Sequence, residues 1–246
     1  NDNHGAVCVS RPTNPTGNVI TDEEMAELRA ACREKNIPLI VDGAYGLPFP
    51  GMIFTPATPV WDDNTILLLS LSKLGLPGIR TGIVVAAPEV IQLIQNNNAI
   101  NSLAPSRLGP TLLTPLLQRG QLQNICEQLI RPHYEKKRDH ALSVIEEVMS
   151  DLPVRIHKPE GALFLWLWFE GLPVTSENLY QQLMAKGVFV LPSRPFYPPA
   201  QSSWRHQDEC IRVNYAASDE TVVKGLTEIA QVVREQFQDA AALVTG

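Results

Sequence analysis

The stretch "SLSKLGLPGIRTG", Ser70 to Gly82, places a single lysine, Lys73, directly behind an apolar run. The hydroxyls of Ser70 and Ser72 flank it, and Arg80 follows across a Gly/Pro-rich turn. A lysine at the margin of a core differs from a surface lysine, because burial disfavours the ammonium and yields a nucleophilic amine able to attack a carbonyl carbon. Arg80 contributes a planar fork and Ser70 a hydroxyl, a combination suited to a phosphate group. Two other apolar runs end in polar residues of a complementary kind, Asn14 after the first and Asp42 with Tyr45 after the second. A carboxylate buried at the place of Asp42 needs a cationic partner, while Tyr45 and Asn14 offer hydrogen bonds to an oxygen beside the amine. Pyridoxal phosphate carries an aldehyde, a protonated ring nitrogen and a phosphate, so one molecule answers the whole set. Each residue alone also has an ordinary explanation: an aspartate at a strand end is commonly a helix cap, and a lone lysine is commonly solvated.

Such residues meet only if strands bring their carboxyl ends to one edge. "GAVCV" (Gly5 to Val9), "IPLIVD" (Ile37 to Asp42), "TILLLSLS" and "TGIVVAA" are predicted strands. Their continuous rather than alternating apolar character predicts a sheet covered on both faces, with ligands beyond the strand ends. "SRPTNPTG" is turn chemistry, and Thr21 with Glu24 forms a capping box before a helix with Met25, Leu28 and Cys32 at helical spacing. Pro88 opens "PEVIQLIQNNN", and Pro110 is expected to open "PTLLTPLLQRG" in the same way. A long helical pattern from Leu122 to Met149 is interrupted at Pro132. Beyond it "VRIHKPEGALFLWLWFEGLP", "VFVLP" and "CIRVNYA" are predicted strands, "SENLYQQLMAKG" a helix with a glycine cap, and "SDETVVKGLTEIAQVVREQFQ" a terminal helix capped by Ser218. Trp166 and Trp168 are expected to pack in the core; His206 and Trp204 receive no role.

The 246 residues are 44% hydrophobic and 19% charged, values of an ordinary globular protein rather than a disordered one. Net charge is -6 with no Lys/Arg block, which argues against nucleic acid as a partner. Cys8, Cys32, Cys126 and Cys210 form no CxxC pair, and the histidines form no ligand spacing, so free thiols and no metal are expected. No signal peptide is visible, and "ALFLWLWF" falls far short of the roughly 20 residues of a membrane helix, so a cytoplasmic location is expected. The chain opens on Asn1 and enters a strand-like run almost at once, which reads as a piece of something longer.

In their order, "SRPTNPTG", "VDGAY", "SLSKLGLPGIRTG" and "IRVNYA" resemble the fold-type I pyridoxal-phosphate aminotransferases, and the resemblance covers essentially the whole chain. It implies an α/β fold with a mostly parallel sheet, helices on both faces and a smaller α+β C-terminal domain. Residues 1–121 would be part of the large cofactor-binding domain, 122–150 an interdomain helix and 151–246 the small domain. Lys73 matches the lysine that binds the cofactor covalently and shuttles a proton at the substrate α-carbon. Asp42 matches the carboxylate that keeps the ring nitrogen protonated; Tyr45 and Asn14 match the pair on the phenolic oxygen. Ser70, Ser72 and Arg80 are placed at the cofactor, Arg80 standing one residue closer to the lysine than in aspartate aminotransferases. Arg212 matches the arginine that clamps the substrate carboxylate, with Asn14 beside it and the turn at Gly161 and Ala162 bordering the substrate.

"VSRPTNPTGNVITDEE", "AYGLPFPG", "SLSKLGLPG" and "HKPEGALFLWLWF" are, more narrowly, similar to the valine–pyruvate branch of that family. This implies an amino acid and a 2-oxo acid as substrates, valine and pyruvate giving 2-oxoisovalerate and alanine, and a homodimer at full length. The family's Gly-rich phosphate loop, the aromatic residue on the cofactor ring and the partner's tyrosine belong upstream of Asn1, so this stretch alone is expected to hold cofactor weakly and turn over little. Rival expectations are a same-fold lyase, the aminotransferase-like effector domain of a transcriptional regulator, and a stable proteolytic core without activity.

Overall fold

A computed structural model describes residues 4–198 and 204–245. The chain divides into two compact units, the first holding residues up to Asn14, Asn18–His133 and Glu160–Ala162, the second Pro15–Gly17, Tyr134–Pro159 and the chain from Leu163 onward.

In the first unit, strands β1 (Val7–Ser10), β2 (Leu39–Asp42), β3 (Thr65–Ser70) and β4 (Gly82–Val85) form a sheet in that order. The first three run parallel and β4 antiparallel. Register fixes which residues share a face. Leu39, Val41, Leu67 and Leu69 are buried and join one core with Met25 and Cys32 of helix α1 (Asp22–Glu34) and with Leu113, Leu122 and Cys126. The opposite face carries Ile40, Ile66, Leu68 and Val84 together with Asp42 and Ser70, all only half-buried. Among the described residues the fully buried core lies on the Leu39 and Leu67 side of the sheet. The helices that supply buried residues pack on the Leu39 and Leu67 side, and an apolar run has the same composition whether one face or two is covered.

Thr21 starts α1 with the expected capping box: its hydroxyl accepts from Glu24 N at 3.1 Å, and Glu24 Oε2 accepts from Thr21 N at 2.8 Å. Pro88 sits in the first turn of α2 (Pro88–Ser102). Helix α3 (Leu108–Gln118) begins before Pro110 rather than at it, because Ser106 Oγ accepts the Leu108 N–H at 3.3 Å and provides an earlier start. The long helical pattern becomes α4 (Gln121–Ile125), a π-helical turn (Cys126–Ile130) and α5 (Arg131–Val148). Within the wide turn Arg131 N–H donates to Cys126 O. Pro132 has no N–H to offer, and the widened turn lets the helical path pass it without a break.

The second unit holds an antiparallel sheet of β5 (Val154–Ile156), β6 (Phe164–Phe169), β7 (Leu191–Pro192) and β8 (Cys210–Asn214) in the order β5-β6-β8-β7. The expected "VFVLP" strand shrinks to two residues, with Phe189 exposed before it. Trp166 is 1% exposed, as expected of a core residue, and the half-buried Trp168 donates from Nε1 to Glu209 at 2.8 Å. Helix α6 (Ser176–Ala185) starts at Thr175, whose hydroxyl accepts from Asn178 N, and Gly187 follows its end at a φ of +79°. Helix α7 (Asp219–Thr245) starts at Ser218, which accepts from Thr221 N, and buries Leu226, Ile229 and Val233. No helix among the described residues is long and apolar enough to cross a membrane.

Candidate active site

The polar residues of the first unit gather where β1, β2 and β3 end. Asp42 closes β2, and its Oδ1 accepts the Ala44 N–H at 3.0 Å, which orients the carboxylate. Two glycines let the following turn lie against its neighbours: Gly43 N donates to Leu68 O at 2.8 Å, and a Cβ on Gly46 would come within 2.3 Å of Arg11 O. Tyr45 lies between them, its carbonyl accepting from Met52 N at 2.9 Å.

The end of β3 is held as tightly. Leu71 is fully buried and its N–H donates to Thr81 O, while Ser70 Oγ accepts from Ser72 N at 3.2 Å. Lys73 then falls in a short 3-10 turn, Ser72–Leu74, which ends at Gly75 with a φ of +97°. Lys73 is half-buried and its Nζ stands 5.2 Å from the Tyr45 ring centroid. A second 3-10 turn, Pro77–Ile79, leads to Arg80, whose φ of +48° lies in the left-handed region that few non-glycine residues adopt. Arg80 is exposed and donates from Nη1 to Pro77 O at 3.4 Å.

Asn14 lies exposed on the loop after β1. Arg11, to which sequence reasoning gave no role, anchors this loop. Only 5% exposed, it donates to Ile20 O at 2.7 Å, to Thr58 O at 3.0 Å and to Asp22 Oδ1 at 2.5 Å. The Arg11 guanidinium, followed by the Thr58 N–H, holds the Asp22 carboxyl well below its usual range, at about 2. Glu160, also unassigned, accepts the Val19 N–H at 2.9 Å, and Gly161 bridges to Ile53. A Cβ on Gly161 would meet Met52 O at 2.7 Å and Pro12 Cβ at 2.8 Å, so this turn and the Pro12 loop are pressed together. No local pattern marks the Arg11 contacts, because its acceptors lie nine or more residues along the chain.

Arg212 belongs to the second unit, in β8 opposite Trp166 and Leu191. The structure thus brings Asp42, Tyr45, Ser70, Ser72 and Lys73 to one sheet edge, sets Asn14 and Arg80 on loops leaving the same strand ends, and carries Arg212 on a separate sheet. An amine, a carboxylate, a phenol, hydroxyls and a guanidinium on one edge fit the chemical groups of pyridoxal phosphate. Cys210 lies on the same strand as Arg212, and Tyr197 follows Phe196 in the chain; burial pushes the Tyr197 hydroxyl and the Cys210 thiol up to about 12.

A strand end that presents a lysine on a mostly parallel sheet points to a class, and residues 1–229 match the family aminotransferase class I and II; the chain belongs to that family. It is 44% identical over 236 residues to the valine–pyruvate aminotransferase of Escherichia coli strain K12, covering 96% of this chain and 57% of that protein. Among solved structures, a putative amino-acid aminotransferase from Psychrobacter arcticum 273-4 superposes with a TM-score of 0.94 at 47% identity, covering 96% of this chain and 55% of its own. Valine–pyruvate aminotransferase AvtA from Salmonella typhimurium LT2 gives 0.91 at 45% identity, covering 95% and 60%. The fold is that of the fold-type I aminotransferases, and the chain spans a little over half the length of these relatives.

Proposed function

We propose that the full-length protein is a pyridoxal-phosphate-dependent transaminase that takes the amino group of valine and passes it to pyruvate, giving 2-oxoisovalerate and alanine, and that it works as a cytoplasmic homodimer. The observation that carries this reading is the 44% identity, across 96% of the chain, to the valine–pyruvate aminotransferase of Escherichia coli.

When bound, pyridoxal phosphate supplies an aldehyde and an electron-accepting ring. Lys73 is the residue to hold that aldehyde and, as a free amine, to move a proton at the substrate α-carbon; the buried Leu71 beside it keeps the backbone under it from shifting. Asp42, oriented by the Ala44 N–H, presents a carboxylate to the ring nitrogen. Tyr45 and Asn14 would hydrogen-bond the phenolic oxygen, and Ser70, Ser72 and Arg80 would take the phosphate. Arg212 binds the α-carboxylate with a fork that a lysine would not reproduce.

The test is a half-reaction on the full-length protein loaded with pyridoxal phosphate: valine is added without any oxo acid, the cofactor absorbance is followed and 2-oxoisovalerate is assayed. Stoichiometric oxo acid supports the proposal. A response to another amino acid but not to valine keeps the transaminase and discards the donor. Products with a broken carbon skeleton point to a lyase, and no response to any amino acid overturns the reading in favour of a regulatory domain.

A further inference from the structure

Two aromatic rings from different elements close on Arg212. Its Cζ stands 4.7 Å from the centroid of the Phe164 ring and 5.3 Å from that of Phe196. Phe164 reaches it diagonally across the β6–β8 pair, since Trp166 faces Arg212 directly and Phe164 faces Asn214 on the same side. Phe196 arrives from the 3-10 turn Arg194–Phe196 and meets Trp166 edge to face at 5.6 Å.

That turn is fastened by a buried serine pair. Ser176 and Ser193 are both fully buried, with hydroxyl oxygens 3.0 Å apart. Ser193 Oγ also lies 2.6 Å from Gln207 O, its N–H donates to Cys210 O at 3.1 Å, and its carbonyl accepts the Phe196 N–H at 2.9 Å. Buried polar groups satisfied in this way are costly to disturb, so they fix where the turn stands.

A ring face attracts a guanidinium from above its plane, a direction that uses none of the in-plane N–H donors a carboxylate needs. One ring leaves a long side chain free to swivel; two rings on different elements restrict it. We propose that Phe164 and Phe196 are positioning residues that orient the Arg212 guanidinium for a substrate carboxylate, with the Ser176–Ser193 pair fixing the turn that carries Phe196. This rests on the assignment of Arg212 to the α-carboxylate made above.

The test uses the full-length holoenzyme and the variants Phe196→Leu and Phe196→Tyr. Losing the ring is expected to raise KM for valine and Ki for isovalerate, a carboxylate of valine's skeleton without the amine, together by about tenfold, the scale of a desolvated cation–π contact, while kcat stays within about twofold. Restoring a ring with Phe196→Tyr is expected to restore both constants. Unchanged constants, a fall in kcat alone, or a Phe196→Tyr variant as impaired as Phe196→Leu would overturn the proposal. If Phe196→Leu does not fold, Phe196→Met is read by the same criteria. Arg212→Gln separates the two levels of inference: if it leaves KM for valine unchanged, the carboxylate assignment itself fails, whereas a raised KM there with no effect at Phe196 sinks the positioning role alone.

Discussion

Lys73 Nζ stands 5.2 Å from the centre of the Tyr45 ring, although one residue follows β3 and the other β2. Parallel pairing produces the meeting: Asp42 is in register with Leu68, so the chain leaves both strands at neighbouring heights. The Gly43 N–H donating to Leu68 O then holds the two exits together. A slip of one residue in this pair would turn Asp42 to the opposite face of the sheet and dismantle the arrangement.

Lys73→Ala is expected to abolish covalent retention of pyridoxal phosphate and to lower turnover of the full-length enzyme by on the order of 10²–10⁴, the usual scale for a lost acid–base group. Absorbance after gel filtration and the valine half-reaction check it. Secondary structure should be unchanged, because the half-buried Lys73 hangs from a turn that Leu71 anchors.

Asp42→Asn keeps an oxygen for the Ala44 N–H and removes the charge. Catalytic efficiency should drop by on the order of 10² with little change in melting temperature. Equal activity in the two proteins would show that the charge of Asp42 has no part in the reaction.

Asp22 provides a pH signature. Its folded-state pKa, about 2, lies below the ordinary 3.8, so the stabilisation from its pairing with Arg11 is complete above that ordinary value and lost as pH falls through the folded one. The stability gap between the protein and Asp22→Asn, measured by urea unfolding, should be constant above about pH 5 and shrink steadily toward pH 2. A gap independent of pH in that window would mean the pair contributes nothing through charge.

Gly161→Ala would place a Cβ within 2.7 Å of Met52 O and 2.8 Å of Pro12. The expected cost is about 1–3 kcal/mol of unfolding free energy, accompanied by weaker cofactor binding if the displaced Pro12 loop carries Asn14 with it. Equilibrium unfolding and cofactor titration measure the two effects separately.

The sequence was most informative where an apolar run stops abruptly. "LIVD" and "TILLLS" each end on a polar residue, Asp42 and Ser70, at the strand ends where the candidate site gathers. The capping box at Thr21 was equally plain, since both partners lie within one turn. Arg11 was opaque for the opposite reason: its acceptors, Ile20, Asp22 and Thr58, lie 9, 11 and 47 residues along the chain, and no local pattern records a distant partner. Phe196 and Phe164 likewise gain significance only through a turn and a strand that bring them to one guanidinium. The early start of α3 depended on a single acceptor, Ser106, and the shortened β7 on pairing that reaches only Arg212 and Ile211.

Ile40, Ile66, Leu68 and Val84 share their half-open sheet face with Asp42 and Ser70. Where such a face is partly open, the ordinary laboratory remedy against self-association is to place charges on it. Here that remedy would introduce a new electric field one pairing step from Asp42. On the role proposed for Asp42, a variant selected for staying in solution should be assayed for activity before it is adopted as a surrogate for the parent.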